Sequence, residues 1–179
     1  MIANVITLCR VILTFSVIAL FGRSRSLDIA IVVTIAFIFT LDALDGIVAR
    51  KRDEVSEIGV VFDTAADRVI ENTFWIYFAV VGCIPVWVPI VVMARGFFTD
   101  GLQRITGYPK EDWATLLTRS RTSRAFYGAT KMLAFMCFAS ISIFENLPLE
   151  KAGMIFAAIT VGFCILRGLP FFFIRLEKY

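Results

Sequence analysis

The chain has no histidine in its 179 residues. That removes the usual general base and the imidazole ligands of most transition-metal sites. Its four cysteines, Cys9, Cys83, Cys137 and Cys164, lie scattered in apolar runs with no close pair. Such spacing supports neither a thiolate metal site nor a disulfide framework, and nothing in it marks a secreted protein. Charge is also scarce, at 18% of residues with a net charge of +3, too little to argue for a nucleic-acid partner. No low-complexity linker and no short repeat divides the chain, so it reads as a single domain over 1–179. The first apolar run has no basic region before it and no A-x-A cleavage site, so a retained helix is expected there rather than a signal peptide.

Apolar residues fill the space. They make up 59% of the chain, with 18 Phe and a mean hydropathy of +0.81. A chain of this kind is expected to be buried in lipid. Its apolar runs predict six helices, at about Val5–Phe21, Ile29–Arg50, Ile58–Val81, Pro85–Ile105, Arg124–Ile143 and Ala152–Ile174. The expected fold is therefore an all-α integral membrane protein, a bundle of six transmembrane helices. Six crossings put both termini on one side. The loops of that side hold Arg50, Lys51, Arg52, Lys110, Arg119 and Arg121, whereas the opposite loops hold only Arg23, Arg25 and Lys151. The positive-inside rule then makes both termini cytosolic in the cytoplasmic membrane. The segment Thr106–Ser123 reads as the longest polar connection.

The second and third helices meet at the most informative stretch, Leu41–Arg68. It holds Asp42, Asp45, Asp63 and Asp67, with Gly46, Ala49, Arg50 and Gly59 between them. Asp42 and Asp45 are three apart, and Gly59, Asp63 and Asp67 step by four, spacings that share a helix face. If Arg50–Ile58 turns the chain back, the two acid faces meet. Acids at a membrane segment are costly and usually functional. With nitrogen and sulfur ligands absent, an all-oxygen set suits a hard cation such as Mg²⁺, Mn²⁺ or Ca²⁺. Two such ions can hold a diphosphate and activate a hydroxyl.

Read as D-x-x-D-G-x-x-A-R-x8-G-x3-D-x3-D, the stretch resembles the signature of the CDP-alcohol phosphotransferase family, with every spacer length kept. ANVITLCRV is similar to the family's N-terminal N-x-x-T-x-x-R. The resemblance implies a six-helix membrane enzyme that moves a phosphatidyl group from a CDP-activated lipid, CDP-diacylglycerol or an ether analogue, to an alcohol, releasing CMP. It implies that Asp42, Asp45, Asp63 and Asp67 hold one or two divalent ions, Mg²⁺ or Mn²⁺, and that Asp67 is the general base. It assigns Asp45, Gly46, Ala49, Arg50 and Gly59 to the nucleotide, and it implies a homodimer. VMARGFFTDGLQ, SRAFYGATK and ILRGLPFF resemble segments of the family's phosphatidylglycerophosphate synthase branch, which implies sn-glycerol 3-phosphate as acceptor. Arg95 is followed by Gly96 where that branch usually carries Glu, so inositol phosphate and serine stay open as acceptors. A divalent-cation transporter is the alternative of another class.

A second, basic constellation lies near the same ends of the later helices. Arg95 and Arg167 sit well inside apolar runs, where a charge needs a partner. Arg124 and Lys131 are seven apart and share a helix face. Together these four are expected to grip a phosphorylated acceptor. Arg119 and Arg121 read more simply as topology determinants. Arg10 has two readings, snorkelling to headgroups or facing inward beside the acids. Glu71 and Asn72 follow the acids by one turn and extend the polar side.

Overall fold

A computed structural model describes the backbone of residues 2–52, 57–107, 109, 111–144 and 147–172; among these, the side chains of 2–3, 43–52, 57–58, 60, 147 and 172 are outside the description. Every regular element in this set is helical. The order is α1 (Ile2–Leu20), α2 (Arg25–Arg52), α3 (Glu57–Val80), α4 (Trp87–Thr106), α5 (Asp112–Arg119), α6 (Arg121–Phe144) and α7 (Leu147–Phe172).

The α1 sequence shows why the helices pack as they do. Val5, Leu8, Ile12 and Phe15 recur at three- and four-residue steps and are exposed, whereas Thr7, Arg10, Thr14 and Val17 are buried on the other side. The polar face is thus turned inward and the apolar face outward, the reverse of a helix on a water-soluble protein. In α2 the inward face runs through Asp28, Ile31, Ile35 and Ile38 to Asp42, and in α3 through Asp63, Asp67, Ile70, Phe74 and Phe78.

Six long helices close into a ring. α1 packs on α2, α2 on α6, α6 on α7, α7 on α4, α4 on α3, and α3 back on α1. The interior is aromatic. The ring centroid of Phe135 lies 5.2 Å from that of Phe74, 4.7 Å from that of Trp75 and 5.8 Å from that of Phe78. Edge-to-face and offset contacts of this kind add to the area that they bury. Two helices among the described residues are long and apolar enough to cross a membrane, Arg121–Phe144 and Pro148–Phe171, and Asn4–Leu20 is a shorter apolar helix. α2, α3 and α4 carry acids and arginines toward one end, which interrupts their apolar windows.

Glycine ends several helices. Gly82 follows α3 at φ +83°; Gly82 N–H donates to Ala79 O and Cys83 N–H to Phe78 O at 2.9 Å. This left-handed stop satisfies carbonyls that the helix end leaves open, and a Cβ there would be strained. Gly22 does the same after α1 at φ +78°, and its N–H donates to Asp28 Oδ1 at 2.8 Å, tying α1 to the first turn of α2.

Most of the helices begin earlier than the apolar runs suggest, although α4 begins later, at Trp87 rather than Pro85. α2 begins at Arg25 rather than Ile29, α6 at Arg121 rather than Arg124, and α7 at Leu147 rather than Ala152. Charged and polar residues continue a helix beyond its apolar run, so hydropathy alone clips its ends. The connection Thr106–Ser123 contains a helix, α5. Ala114 and Thr118 face the protein while Trp113 and Leu116 are exposed. Ser120 is extended after it, and Ser120 Oγ accepts from Ser123 N–H at 3.1 Å, capping α6.

Candidate active site

Three acids meet where α1, α2 and α3 converge. Arg10 of α1 is the hub. Its Nη2 lies 2.8 Å from Asp42 Oδ1 and donates to Asp67 Oδ1 at 2.9 Å, and Nη1 lies 3.7 Å from Asp63 Oδ1. Nε donates to Ile38 O at 3.3 Å, and Thr7 Oγ1 donates to Asp63 Oδ1 at 3.4 Å. Arg10 therefore takes the inward of its two readings: its side chain is 2% exposed, while the three acids keep 41–47% of theirs exposed. A guanidinium has five donors in a planar fork and suits this bridging role better than an ammonium.

The cluster has the chemistry of a hard-cation site. One carboxylate oxygen from each of Asp42, Asp63 and Asp67 lies within 4.8 Å of the others. Three carboxylates against one guanidinium leave a formal charge of −2 (−3 + 1), which one divalent ion balances. Oxygen donors with several open lone pairs fit Mg²⁺ or Mn²⁺. Gly59 lies on α3 one turn before Asp63, half-buried. Asp45, Gly46, Ala49 and Arg50 lie on the last turns of α2, and their side chains are outside the described residues.

Deeper along α3 is a buried charged network that was only partly foreseen. Glu71 is buried; it accepts from Tyr127 Oη and, at 3.3 Å, from Arg68 Nη1. Lys131 Nζ lies 3.5 Å from Glu71 Oε1 and stands over the rings of Phe39 and Tyr127 at 5.3 and 5.1 Å. Arg68 also holds Asp100 of α4 as a fork, with Nε donating to Oδ2 at 2.8 Å and Nη2 to Oδ1 at 2.9 Å. This paired geometry is the strong form of the interaction.

On the next face of α3 is a polar cavity of about 380 Å³. Successive residues of a helix are turned by roughly 100°, so Asp63 and Asp67 face the acid cluster while Thr64 and Arg68 line the cavity. Arg95, Arg124 and Arg167, three of the four residues of the basic constellation, line it together with Arg119. Arg167 Nη2 donates to Thr118 O at 3.1 Å, and its guanidinium stands 5.4 Å from the Tyr127 ring centroid. The Nε atoms of Arg95 and Arg167 are buried without a hydrogen-bond partner among the described residues. Two such donors beside one cavity suit an anion.

Lys131 departs from the expected set. It is not among the residues lining the cavity. Two helical turns from Arg124, about 10 Å along α6, it meets Glu71 instead. Conversely, Arg119 lines the cavity although it reads as a topology determinant. Arg68, Asp100 and Gln103 line it without having been singled out. The spacing of Arg95, Thr99 and Gln103 at steps of four was a visible signal. Arg68 and Asp100 gave none, because each reads as an ordinary charge until the other helix is beside it.

Small residues admit the arginines. A Cβ at Gly168 would stand 3.1 Å from Arg95 Cγ and 3.3 Å from Arg95 Nε, and one at Gly96 would stand 3.4 Å from Arg68 Nε. With Gly at 96, Asp100 supplies the acid that pairs with Arg68.

The profile of the family described as CDP-alcohol phosphatidyltransferase matches residues 1–166. Among curated proteins, the chain is 29% identical over 137 residues to the CDP-diacylglycerol--glycerol-3-phosphate 3-phosphatidyltransferase of Bacillus subtilis (strain 168). That match covers 74% of this chain and 66% of the relative, just under two thirds of its length.

Proposed function

Since this chain belongs to the CDP-alcohol phosphatidyltransferase family, we propose that it transfers a phosphatidyl group from a CDP-activated lipid to sn-glycerol 3-phosphate and releases CMP. The observation that carries this reading is the placement of an acid cluster and an arginine-lined cavity on adjacent faces of α3. The first suits the diphosphate of the donor and the second an acceptor that bears its own phosphate. The curated relative's named acceptor agrees with that second site.

Asp42, Asp63 and Asp67, with Asp45 of the same motif, are the residues to hold a divalent cation. When bound, such an ion neutralises the diphosphate and acidifies a nearby hydroxyl. Asp67 takes the proton from the acceptor hydroxyl. The freed oxygen bonds to the lipid-side phosphorus, the bond from that phosphorus to the bridging oxygen breaks, and CMP leaves. A carboxylate alone is a modest base toward an alcohol, so a divalent ion's help in lowering the hydroxyl's pKa is part of this reading. Gly46, Ala49, Arg50 and Gly59 form the nucleotide side. Arg95, Arg124 and Arg167 orient the acceptor phosphate, and Lys131 serves the Glu71 pair behind them.

The six long helices all cross the membrane in this reading, with both termini and the site at the cytosolic face, as the loop charges support. The family resemblance supports a homodimer. A cation transporter would need an open polar path that continues past Glu71, but Glu71 is itself closed off by Tyr127, Lys131 and Arg68, and the next turns of α3 are aromatic, with Phe74, Trp75 and Phe78 buried.

The test is CMP release from CDP-diacylglycerol by the purified full chain with a panel of acceptors. Turnover is expected with sn-glycerol 3-phosphate and not with serine, and excess EDTA is expected to abolish it. Serine outpacing the phosphorylated acceptors would overturn the acceptor, and full turnover in EDTA would overturn the metal. Gly168→Ala gives a subtler check. The added methyl must displace Arg95, and we expect the acceptor KM to rise about three- to tenfold, the loss of part of one charge-assisted contact, with the donor KM unchanged. An unchanged acceptor KM would remove Arg95 from the site.

A further inference from the structure

The cavity beside α3 is basic on most sides, yet it contains one carboxylate. Asp100 is the single acid among its described lining residues, against Arg68, Arg95, Arg119, Arg124 and Arg167. An acid in a phosphate pocket weakens phosphate binding nearby, and Asp100 keeps acceptor capacity beyond its pairing with Arg68. We propose that Asp100 is a specificity-determining residue that reads the hydroxyls of the acceptor, so that the cavity selects a phosphorylated polyol over a bare phosphate. The inference rests on the proposed function and assigns the two ends of the acceptor within that site.

The geometry carries it in three steps. First, Asp100 is fixed. Both of its oxygens accept from Arg68, at 2.9 and 2.8 Å, and this fork sets the plane of the carboxylate. Second, it keeps acceptor capacity. A carboxylate has about four lone-pair sites, Arg68 uses two, and 26% of the side chain stays exposed. The open sites accept hydrogen bonds but donate none. A phosphate dianion has no proton to offer and is repelled, whereas an alcohol donates readily. Third, the opposite charges are placed elsewhere in the cavity. Arg167 is anchored on Thr118 O of α5, and the Arg95 and Arg167 Nε atoms are buried donors without a partner among the described residues. Phosphate is drawn to those arginines and hydroxyls to Asp100. Arg68 directly follows Asp67 in α3, so the residue that reads the hydroxyls is anchored one position from the proposed base.

A functional-group comparison tests this. The wild-type full chain and Asp100→Asn are assayed with sn-glycerol 3-phosphate and with 3-hydroxypropyl phosphate, which keeps the primary hydroxyl and phosphate but lacks the secondary hydroxyl. Inorganic phosphate is titrated as a competitor in both. A hydrogen bond to a charged group is worth roughly tenfold to a hundredfold. The wild type is therefore expected to prefer sn-glycerol 3-phosphate by at least about tenfold in kcat/KM. Asp100→Asn is expected to lose most of that preference while its inhibition by inorganic phosphate holds or tightens. Wild-type discrimination in the variant would overturn the proposal. So would a parallel loss of both ligands, the result of a merely structural role. If the Asn variant does not fold, Asp100→Glu, which keeps the charge but moves the carboxylate by one methylene, is compared in the same way; unchanged discrimination there also overturns it. If the wild type uses a different phosphorylated polyol, the acceptor assignment fails, and the same comparison on that polyol and its deoxy form still decides Asp100.

Discussion

Asp67→Asn is expected to reduce CMP release by about 10²–10⁴-fold, the usual contribution of a positioned general base, while the protein stays folded. The substitution is nearly isosteric, and the amide oxygen still accepts the Arg10 Nη2 hydrogen bond now made at 2.9 Å. Arg10 also keeps its contact with Asp42 at 2.8 Å, so the three-helix junction survives. What disappears is the negative charge that can receive a proton. Turnover and CDP-lipid binding are measured on the same preparation, with a melting curve as the control for folding. Loss of turnover with retained binding is the expected result. Near-wild-type turnover would place the base elsewhere, and loss of binding with turnover would make Asp67 chiefly a ligand.

Arg10→Ala is expected to act on stability first. The side chain it removes is 2% exposed and is shared by three carboxylates whose oxygens lie within 4.8 Å of one another. Removing one partner of a buried ion pair typically destabilises by about 3–5 kcal/mol. The acids are two-fifths exposed, so the lower end, about 3 kcal/mol, is the better expectation. For a chain of this size that is a fall in Tm of roughly 6–12 °C. The formal charge of the cluster drops from −2 to −3, so added Mg²⁺ should raise the Tm of the variant more than that of the wild type, through binding to the folded state. Arg10→Lys keeps the charge but not the fork and should fall between the two. A variant that melts like the wild type without divalent ions would show that Arg10 does not hold the cluster.

The parts of the molecule that follow from local pattern were legible in the sequence. The all-helical class, the approximate position of each long helix and the meeting of Asp42 with Asp63 and Asp67 all depend on spacing along one or two helices. Arg10 illustrates the limit. Its sequence context allows both snorkelling and an inward face, and only the packing of α1 against both α2 and α3 chooses. The basic cluster shows the same limit in reverse. Arg124 and Lys131 share a face, but a helix face seven residues long meets two neighbours at different depths. Arg124 meets the cavity and Lys131 meets Glu71. Asp100 and Arg68 were illegible for a related reason, since their meaning is each other. α5 was missed because eight residues give too little periodicity to stand out from a polar loop.

The ring order of the helices also dictates an order of birth. Arg10, Asp42, Asp63 and Asp67 all lie within α1–α3, which are made before α4–α7, and α1 packs against both α2 and α3. The arginine cavity cannot exist until α7 arrives with Arg167, and α2 stays uncovered on one side until α6 is made. A nascent chain can therefore pair these three acids early, with its own Arg10, while α4–α7 are still to come. Synthesis runs from the N-terminus at about 5–20 residues per second, so without Arg10 those acids would stand unpaired for seconds. In the membrane reading proposed above, the guanidinium at the centre of the site would thus also shield those acids while the later helices are still being made.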